Sequence, residues 1–397
     1  MPPGPSEPAL IAEAQKLLGD PALRAAVQRH FLAGEAGAAA GPGVRLPMGI
    51  HPDDQMLRHS LHVHRDAWVA ISQYFNVALQ QFGAAEQIVR AAHGGRRDLA
   101  ILDFACGYGR LLRFASRARP VDRLWAAEIM PEALAWVAGE YGVQPIASMP
   151  EPERFDAGRR FDVIWVASLF SHLPDGLFRR WIARLYGHLA PGGILCFSVH
   201  HESLLPEDMQ VPEEGILFMP ASENARLDGA IYGTTFVTHA YVERAIAEAV
   251  GAGRGHARID RGLAHEQDIH VLCAAPGPAL DALGAFRYGP WGWVEERGPA
   301  PGGRLRLKGW AGSLDGEALA RVELRIGERR LSLERFDARP DVAAYFAGYD
   351  LGPTGFDFTT EFPVEEGTPV EVSAVARNGE RALLYFGRVP AWGANAA

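Results

Sequence analysis

The chain has 397 residues, more than one compact core holds, so two or three domains are expected. Its formal net charge of −9 argues against a protein that binds nucleic acid through a basic face. No apolar run approaches the ~18 residues of a membrane span, and the proline-rich start lacks the pattern of a signal peptide. Three scattered cysteines fit neither a disulfide framework nor a zinc site, so we expect a cytoplasmic protein.

The N-terminal part of the chain is predicted to be helical. Apolar residues have helical spacing over residues 9–33, and Gly19-Asp20-Pro21 divides this stretch into two short helices. Residues 34–47 are rich in Gly, Ala and Pro, a composition typical of a linker. We therefore assign residues 1–48 to an N-terminal helical segment and linker.

The middle of the chain alternates apolar strands with amphipathic helices. One helix is predicted between Pro131 and a stop signal at Gly142, and two more over residues 175–189 and 238–251. This alternation predicts an α/β domain at residues 49–278, with a doubly wound, mostly parallel sheet of seven strands. The clearest strand candidates are residues 99–104, 123–128, 143–147, 161–167, 193–199 and 268–274.

The pattern changes after the loose Pro276-Gly277-Pro278 segment. Apolar and polar residues then alternate, for example at Leu305/Leu307 and Val370/Val372, as they do in half-buried strands. Asn378-Gly379 between two such stretches is a strong signal for a two-residue β-hairpin turn. The sequence therefore predicts an all-β sandwich domain at residues 285–392.

A glycine-rich turn follows the first strand of the α/β domain. In Asp103-x-Ala105-x-Gly107-x-Gly109, the turn joins an apolar strand to a helix and lets a ligand approach the backbone closely. A dinucleotide site requires a third glycine three residues later, where Leu112 stands instead. The turn therefore predicts a nucleotide-like ligand other than a dinucleotide.

Glu128 at the end of the second strand is a candidate partner for the ribose of such a ligand. Its carboxylate offers two acceptor oxygens in one plane, which suits a pair of ribose hydroxyls. The alternative is an ordinary solvated acid at a strand end. The glycine turn upstream favours the ribose role.

Together with the turn, two further stretches resemble the class I methyltransferases. Residues 161–173 (FDVIWVASLFSHL) resemble the fourth strand and following loop of that class, and residues 189–195 (LAPGGIL) resemble the turn into its fifth strand. The resemblance covers about residues 70–275 and implies S-adenosylmethionine as cofactor. It implies cofactor contacts from the glycine turn and from the ends of the following strands, at Asp103, Ala105, Cys106, Gly107, Gly109, Arg110, Glu128 and Ser168.

The chain departs from the class pattern in two places. Ala105 replaces the first glycine of the turn, and we expect it to adopt an extended conformation. The acid that commonly follows the third strand is replaced by Ser148, so backbone amides and apolar contacts of Ile129 and Met149 are expected to bind the adenine. Tyr74, on a predicted helix before the sheet, is either a cofactor lid or a core residue.

Histidines near the expected methyl acceptor are candidates for a general base. His172, His200 and His201 follow the fourth and fifth strands, and the ordinary pKa of histidine suits proton removal near neutral pH. For His172 a loop residue bonded to backbone is an equal alternative. The segment His265-Glu266-Gln267-Asp268 is predicted to be a solvated turn rather than part of this cleft.

A second histidine group near the N-terminus raises the question of a metal. His51, His59, His62 and His64 lie near Asp53 and Asp54, but the surrounding apolar pattern is helical and no fixed set of ligands emerges. We therefore predict no metal site.

The acceptor is addressed by elimination and by the C-terminal domain. The Asn/Asp-Pro-Pro-aromatic motif of amino-group methyltransferases that act on adenine or glutamine is absent, as is the Pro-Cys nucleophile of cytosine methyltransferases, which favours a hydroxyl acceptor. The segment of residues 202–237 is long enough to form the wall of a substrate pocket. The sandwich loosely resembles domains attached to bacterial glycosyltransferases, which implies a glycan acceptor and a role in polysaccharide biosynthesis.

Two other interpretations stay open at this stage. The enzyme could act on another small molecule or on a protein, with the sandwich serving only to form a homo-oligomer. A scaffold that binds the cofactor without catalysis is the third possibility, because Gly107, Gly109 and Glu128 bear on binding alone.

Overall fold

The computed structural model describes residues 5–221, 227–275 and 277–390; Pro276 and the last two residues of the predicted sandwich lie outside them. None of the helices in these ranges is long and apolar enough to cross a membrane. The helices are α1 (Glu7–Leu17), α2 (Pro21–Ala33), α3 (Glu35–Ala40), α4 (Gln55–His64), α5 (Ala67–His93), α6 (Leu112–Ala118), α7 (Pro131–Tyr141), α8 (Asp175–Gly187), α9 (His239–Val250) and α10 (Pro340–Tyr345).

The strands fall into three sheets. The first sheet contains β1 (Ile101–Phe104), β2 (Leu124–Glu128), β3 (Gln144–Ala147), β4 (Phe161–Val166), β5 (Leu189–His201), β6 (Ile216–Met219), β7 (Thr234–Val237), β8 (His256–Leu263) and β9 (Gln267–Cys273). The other two contain β10 (Pro290–Ala300), β11 (Arg304–Ser313), β12 (Leu319–Ile326), β13 (Arg329–Leu333), β14 (Gly355–Thr359), β15 (Pro369–Ala376) and β16 (Arg381–Arg388).

Residues Gln81–Phe286 form one compact unit around the first sheet. Its main strand order is β3-β2-β1-β4-β5-β9-β8, with β1 to β5 parallel and β9 antiparallel to both of its neighbours. Every residue of β1 is buried, as expected for a central parallel strand covered on both faces. The predicted doubly wound, mostly parallel α/β fold is confirmed.

The predicted number of strands in this sheet is too low. The described residues form seven strands in the main order and two more, β6 and β7, in the segment that follows β5. β7 runs parallel to the last residues of β5, with His200 opposite Phe236 and His201 opposite Val237. This short extension brings residues of a long connection to the carboxyl end of β5.

Residues typical of helix ends mark the first and last turns of the helices in this unit. α7 has Pro131 in its first turn and ends at Gly142, whose φ of 73° is left-handed. The apolar stripe of α8 packs into the core beside the strands through Phe178, Trp181, Ile182 and Leu185. These contacts fix the loops at the ends of the strands.

The C-terminal strands form a sandwich in the second compact unit. One sheet has the order β10-β11-β14 and the other β13-β12-β15-β16, with antiparallel neighbours throughout. Buried side chains from both sheets, such as Leu307 and Val372, form a single core. The predicted β-sandwich is confirmed, and Asn378-Gly379 joins β15 to β16 with Gly379 at a φ of 92°.

The N-terminal residues up to Gln80 belong to the same unit as the sandwich. The predicted linker contains helix α3, so this prediction is wrong over residues 35–40. His30 Nε2 lies 3.0 Å from Ser373 Oγ, and Ser72 Oγ accepts from the Phe386 amide at 2.9 Å. Trp68 and Val69 pack against the sandwich core. Burial of these side chains explains why the N-terminal helices and the sandwich form one unit, a division that differs from the predicted boundaries.

Candidate active site

The glycine-rich turn contains three residues with left-handed backbone. Ala105, Gly107 and Gly109 have φ values of 56°, 54° and 79°. The expectation that Ala105 is extended is therefore wrong: the turn requires a positive φ at the position where the class has glycine. A left-handed conformation costs an L-residue about 1–2 kcal/mol, so Ala105 stores strain in the turn.

The two glycines of the turn serve different needs. A Cβ on Gly109 would lie 2.5 Å from Tyr141 Cε2 and 2.9 Å from Val137 Cγ1, so this glycine permits close packing of the turn on α7. A Cβ on Gly107 would meet no atom within 4 Å. The backbone at Gly107 is thus open on the side where a ligand approaches, which fits the predicted cofactor contact.

Glu128 joins the glycine turn to the end of β2. Its Oε2 accepts from the Gly107 amide at 2.8 Å, and its Oε1 accepts from the amides of Ile129 and Met130 at 2.8 and 3.1 Å. Burial raises the pKa of this carboxyl, while the three amide donors act in the opposite direction. The side chain is therefore oriented before any ligand binds, and its predicted contact with ribose stays a prediction.

Asp103 and Cys106 lie beside this carboxyl. Burial, followed by the nearby Glu128 charge, raises the pKa of Asp103 to about 8, and the Arg110 guanidinium opposes this rise. Arg110 Nε also donates to Gln81 Oε1 at 3.2 Å. Burial raises the pKa of the Cys106 thiol, which therefore stays protonated near neutral pH and is unsuited to act as a nucleophile.

The other predicted cofactor residues occupy two different places. The Ser148 amide donates to the Glu128 carbonyl at 2.9 Å, and Met149 packs on the core of the sheet. These residues follow β3, next to the end of β2 where Glu128 and Ile129 lie. Tyr74 belongs to the second compact unit, where its buried hydroxyl donates to Asp54 Oδ2 at 2.8 Å.

Ser168 after β4 is the start of a polar network. Its φ is 62°, its amide donates to Ser198 Oγ at 2.7 Å, and Ser198 Oγ donates to Gln267 Oε1 at the same distance. Ser168 Oγ lies 3.3 Å from the same Gln267 oxygen, and Gln267 Nε2 lies 3.1 Å from His200 Nε2. Gln267 therefore links the ends of β4 and β5.

Sequence reasoning missed the importance of Gln267. The segment of residues 265–268 was predicted to be a solvated turn, and this prediction is wrong because His265 and Asp268 are each 1% exposed. The backbone there is strained, with Arg261, Ala264 and His265 all at positive φ. Its polar residues resemble those of a surface turn, so only the position just before β9 could have signalled burial.

His200 is held in one protonation state by this network. Because Gln267 Oε1 accepts from two hydroxyls, Gln267 Nε2 is the donor toward His200 Nε2, and the His200 proton sits on Nδ1. Burial, then the neighbouring His172, lowers the pKa of His200 to about 4. The ring is neutral near pH 7, and its Nε2 lone pair is engaged.

His201 lies apart from the other two candidate bases. Its Nδ1 accepts from the Ser203 amide at 3.2 Å and caps the short helical turn after β5. Burial and the charge of Arg258 lower its pKa. Successive side chains of a strand point to opposite faces, which separates His201 from His200.

His172 has the geometry of an oriented base. Its Nδ1 lies 2.6 Å from the Gly233 carbonyl oxygen, so this nitrogen carries the proton and the lone pair is on Nε2. Its ring stacks on Tyr232 with 4.4 Å between centroids and 16° between planes, and the His200 ring centroid is 6.4 Å away. The structure thus brings together two of the three predicted catalytic histidines.

Three further histidines stack at the edge of the sheet. His256 Nε2 lies 2.9 Å from His270 Nδ1, and these rings are 5.1 Å apart at 9°. His239 stacks at 5.9 Å from His270, which in turn lies over Phe197. Among the described residues no group of three or more His, Cys, Asp or Glu side chains is arranged to hold a metal ion.

Comparison with protein families gives one match. Residues 78–230 match the family described as a methyltransferase domain. This segment contains the glycine turn, Glu128, the loop of His172 and the whole of β5. The chain thus contains a Rossmann-like, class I methyltransferase domain, and its cofactor is S-adenosylmethionine.

Comparison with solved structures gives matches of low identity. The glycopeptide N-methyltransferase MtfA in complex with S-adenosyl-L-homocysteine is 17% identical with a TM-score of 0.34, and 49% of this chain and 89% of that chain are covered. CalS10, an amino pentose methyltransferase from Micromonospora echinaspora, is 22% identical with a TM-score of 0.34, covering 49% and 91%. The N-methyltransferase NodS from Bradyrhizobium japonicum is 16% identical with a TM-score of 0.32, covering 49% and 88%. The comparison with curated proteins gives no match.

The residues present fit the cofactor of this class. A Cβ on Gly107 would meet no atom within 4 Å, and the buried Glu128 carboxyl accepts from the Gly107 amide beside this open space. When bound, S-adenosylmethionine supplies a methyl group made electrophilic by its sulfonium. The chain itself must orient the acceptor toward this methyl group.

Proposed function

We propose that this domain methylates a hydroxyl group of a sugar or of a surface-polysaccharide precursor, with His172 as general base. The observation that carries the proposal is the bond from His172 Nδ1 to the Gly233 carbonyl, which leaves the basic lone pair on Nε2. His172 follows β4, at the carboxyl edge of the parallel strands, where open α/β sheets bind their ligands. An oriented base at this edge favours a hydroxyl acceptor, because a hydroxyl must lose its proton to react and a neutral amine reacts through its lone pair.

The neighbourhood of His172 supports a sugar as the acceptor. The ring centroid of Phe236 lies 5.3 Å from that of His200, and the Ser168 hydroxyl, which donates to Gln267 Oε1, keeps lone pairs that can accept a hydrogen bond. A sugar ring has apolar faces and a polar rim, so it is matched by an aromatic surface beside hydrogen-bonding groups. The two roles are served by different residues of one cluster.

The sandwich supports a larger glycan as the substrate. Its sequence loosely resembles domains attached to bacterial glycosyltransferases, and its two sheets form a complete core of their own. A separate, well-packed unit is suited to hold a chain of sugars. This role rests on that resemblance alone.

Matched acceptors test the proposal directly. The full chain is incubated with labelled S-adenosylmethionine and with pairs of sugars, free or nucleotide-linked, that differ only in a hydroxyl or an amine at one position. We expect label in the hydroxyl sugars, product spectra showing an O-methyl ether, and loss of turnover in His172→Ala. Methylation of only the amino member of each pair would overturn the hydroxyl assignment.

A further inference from the structure

We propose that Gly233 and Tyr232 are positioning residues for His172: the Gly233 carbonyl fixes the tautomer, and the Tyr232 ring fixes the plane of the imidazole. The inference rests on the proposed role of His172 as base. Both residues lie in the connection between β5 and α9, far along the chain from the loop that they orient.

Gly233 and His172 are joined by two hydrogen bonds. The His172 imidazole donates from Nδ1 to the Gly233 carbonyl at 2.6 Å, and the Gly233 amide donates to the His172 carbonyl at 2.8 Å. One residue thus holds both the backbone and the ring of the other. A backbone carbonyl can only accept a hydrogen bond, so it selects the tautomer with the proton on Nδ1.

Only glycine fits at position 233. A Cβ there would lie 2.2 Å from the Met219 carbonyl oxygen and 2.7 Å from Phe218 Cε2. Gly233 is not among the residues with positive φ, so the requirement is for space. Any side chain must push the Gly233 backbone away from β6 and shift its carbonyl relative to His172.

The next residues of β7 fix this register. The Thr235 amide donates to the Ser171 carbonyl at 2.8 Å, and Thr235 Oγ1 donates to the Leu173 carbonyl at 2.7 Å. Thr235 is 1% exposed. Hydrogen bonds to the residues before and after His172 therefore keep Gly233 opposite it. In this way the start of β7 fixes the conformation of the loop that follows β4.

Tyr232 completes the arrangement from the face of the ring. At 4.4 Å and 16° the two rings are nearly parallel, so rotation of the imidazole about χ2 is blocked on that side. The hydrogen bond sets which nitrogen faces Gly233, and the stack sets the plane. Together they leave one orientation for Nε2.

The tautomer can be measured without any acceptor. The full chain is labelled with ¹⁵N-histidine, and long-range proton–nitrogen spectra distinguish the protonated ring nitrogen; the His172→Gln spectrum identifies the signals. We expect protonated Nδ1 in the parent and in Gly139→Ala, whose added Cβ meets no atom within 4 Å. In Gly233→Ala the His172 signals should show a mixture of tautomers.

The stack is tested by a second pair of variants, which decides the matter if Gly233→Ala does not fold. Tyr232→Phe keeps the ring and should keep the spectrum of the parent, whereas Tyr232→Leu should broaden or shift the His172 signals. Folded Gly233→Ala and Tyr232→Leu proteins with the parent spectrum would overturn the proposal.

Turnover separates this inference from the proposed function. If both are right, Gly233→Ala and Tyr232→Leu lower kcat by on the order of 10–100-fold, leave the KM for S-adenosylmethionine unchanged, and alter the pH profile. Altered tautomers with parent kcat would uphold the positioning of the ring and overturn His172 as base. Parent tautomers with low kcat would overturn the positioning roles.

Discussion

The Gly107 amide donates to Glu128 Oε2 at 2.8 Å, which ties the glycine turn after β1 to the end of β2. The same carboxylate accepts from the amides of Ile129 and Met130. Three backbone donors therefore converge on one buried acid and fix its position beside the turn, and we propose that its remaining lone pairs bind the cofactor.

Replacing Glu128 should weaken cofactor binding. A hydrogen bond to a charged group contributes about 1.5–3 kcal/mol, so Glu128→Ala should raise the Kd for S-adenosylmethionine by ~10–150-fold. The Kd of Glu128→Gln should lie between those of the parent and Glu128→Ala, because the glutamine amide has one acceptor oxygen where the carboxylate has two. Isothermal titration gives the values, with Glu140→Gln in α7 as the control; a change within twofold would contradict the role of Glu128.

Ala105→Gly should stabilise the compact unit Gln81–Phe286 (the methyltransferase unit). Glycine adopts the φ of 56° without strain, and this gain outweighs the cost of its greater flexibility in the unfolded chain. The free energy of unfolding should rise by about 0.5–1 kcal/mol. Ala115→Gly in α6 is the matched control and should cost ~1 kcal/mol, because it removes helix propensity. Urea denaturation measures both; a loss of stability in Ala105→Gly would show that the turn is unstrained.

Two isosteres of His172 should separate its two nitrogens. The amide nitrogen of His172→Asn can replace the Nδ1 donor to Gly233, so this variant should keep most of the stability of the parent. His172→Gln lacks a donor at that place and should lose ~0.5–1.5 kcal/mol. Neither amide has a basic nitrogen, so both variants should lose turnover on hydroxyl acceptors; substantial turnover in either would exclude His172 Nε2 as the base.

Acid should remove the stability that the buried histidines give to the methyltransferase unit, while Asp103, whose pKa burial raises to about 8, acts in the opposite direction. Burial lowers the pKa of His256 and His270, and it lowers that of His200 to about 4, whereas the unfolded value is near 6.5. Below pH 6.5 the unfolded chain therefore binds more protons than the folded one. The stability from neutral rings is complete above pH 6.5 and falls as the pH approaches 4, by up to ~1.4 kcal/mol per pH unit for each histidine.

A substitution in the histidine stack tests whether these buried histidines cause the loss of stability in acid. His239, His201 and Arg258 add positive charge around His270, and Glu243 opposes them at His256. His270→Phe retains a ring against Phe197 and removes one titrating group, so its Tm should fall less between pH 7.5 and pH 5. His59→Gln, on the exposed face of α4, should behave like the parent. Equal acid sensitivity of His270→Phe and the parent would rule out His270 as a source.

Removing the sandwich should expose the N-terminal helices. Trp68 and Val69 pack on its core, and Ser72 is hydrogen-bonded to Phe386 of β16. A chain that ends at residue 284 should therefore be prone to aggregation and bind hydrophobic dyes. A monodisperse truncated protein with unchanged thermal stability would contradict this.

Most of the α/β fold was predictable because its strands are continuous apolar runs. β1, β2, β4 and β9 lie within a residue or two of their predicted positions. β8 was missed because Arg258 and Asp260 interrupt its apolar pattern, and β6 and β7 are only four residues long.

The glycine turn and Glu128 were predictable from the sequence, whereas the contacts around His172 and His200 were not. Gly107 and Glu128 follow a local pattern in the strand-to-helix turn, whereas Gly233, Ser198 and Gln267 meet His172 and His200 only through the folded sheet. Every residue has a backbone carbonyl, so the sequence does not show which carbonyl binds the His172 ring. The conformation of Ala105 was likewise hidden, because the sequence shows the residue and not its φ.

The division of the chain into units has a consequence for biosynthesis. The N-terminal helices emerge from the ribosome long before β15 and β16, with which His30 and Ser72 form hydrogen bonds. The methyltransferase unit between them can complete its core while these helices still lack their partner. Contacts such as Arg29–Glu371 join residues that are far apart in the chain, so this unit can complete its core only after β15 and β16 have been made.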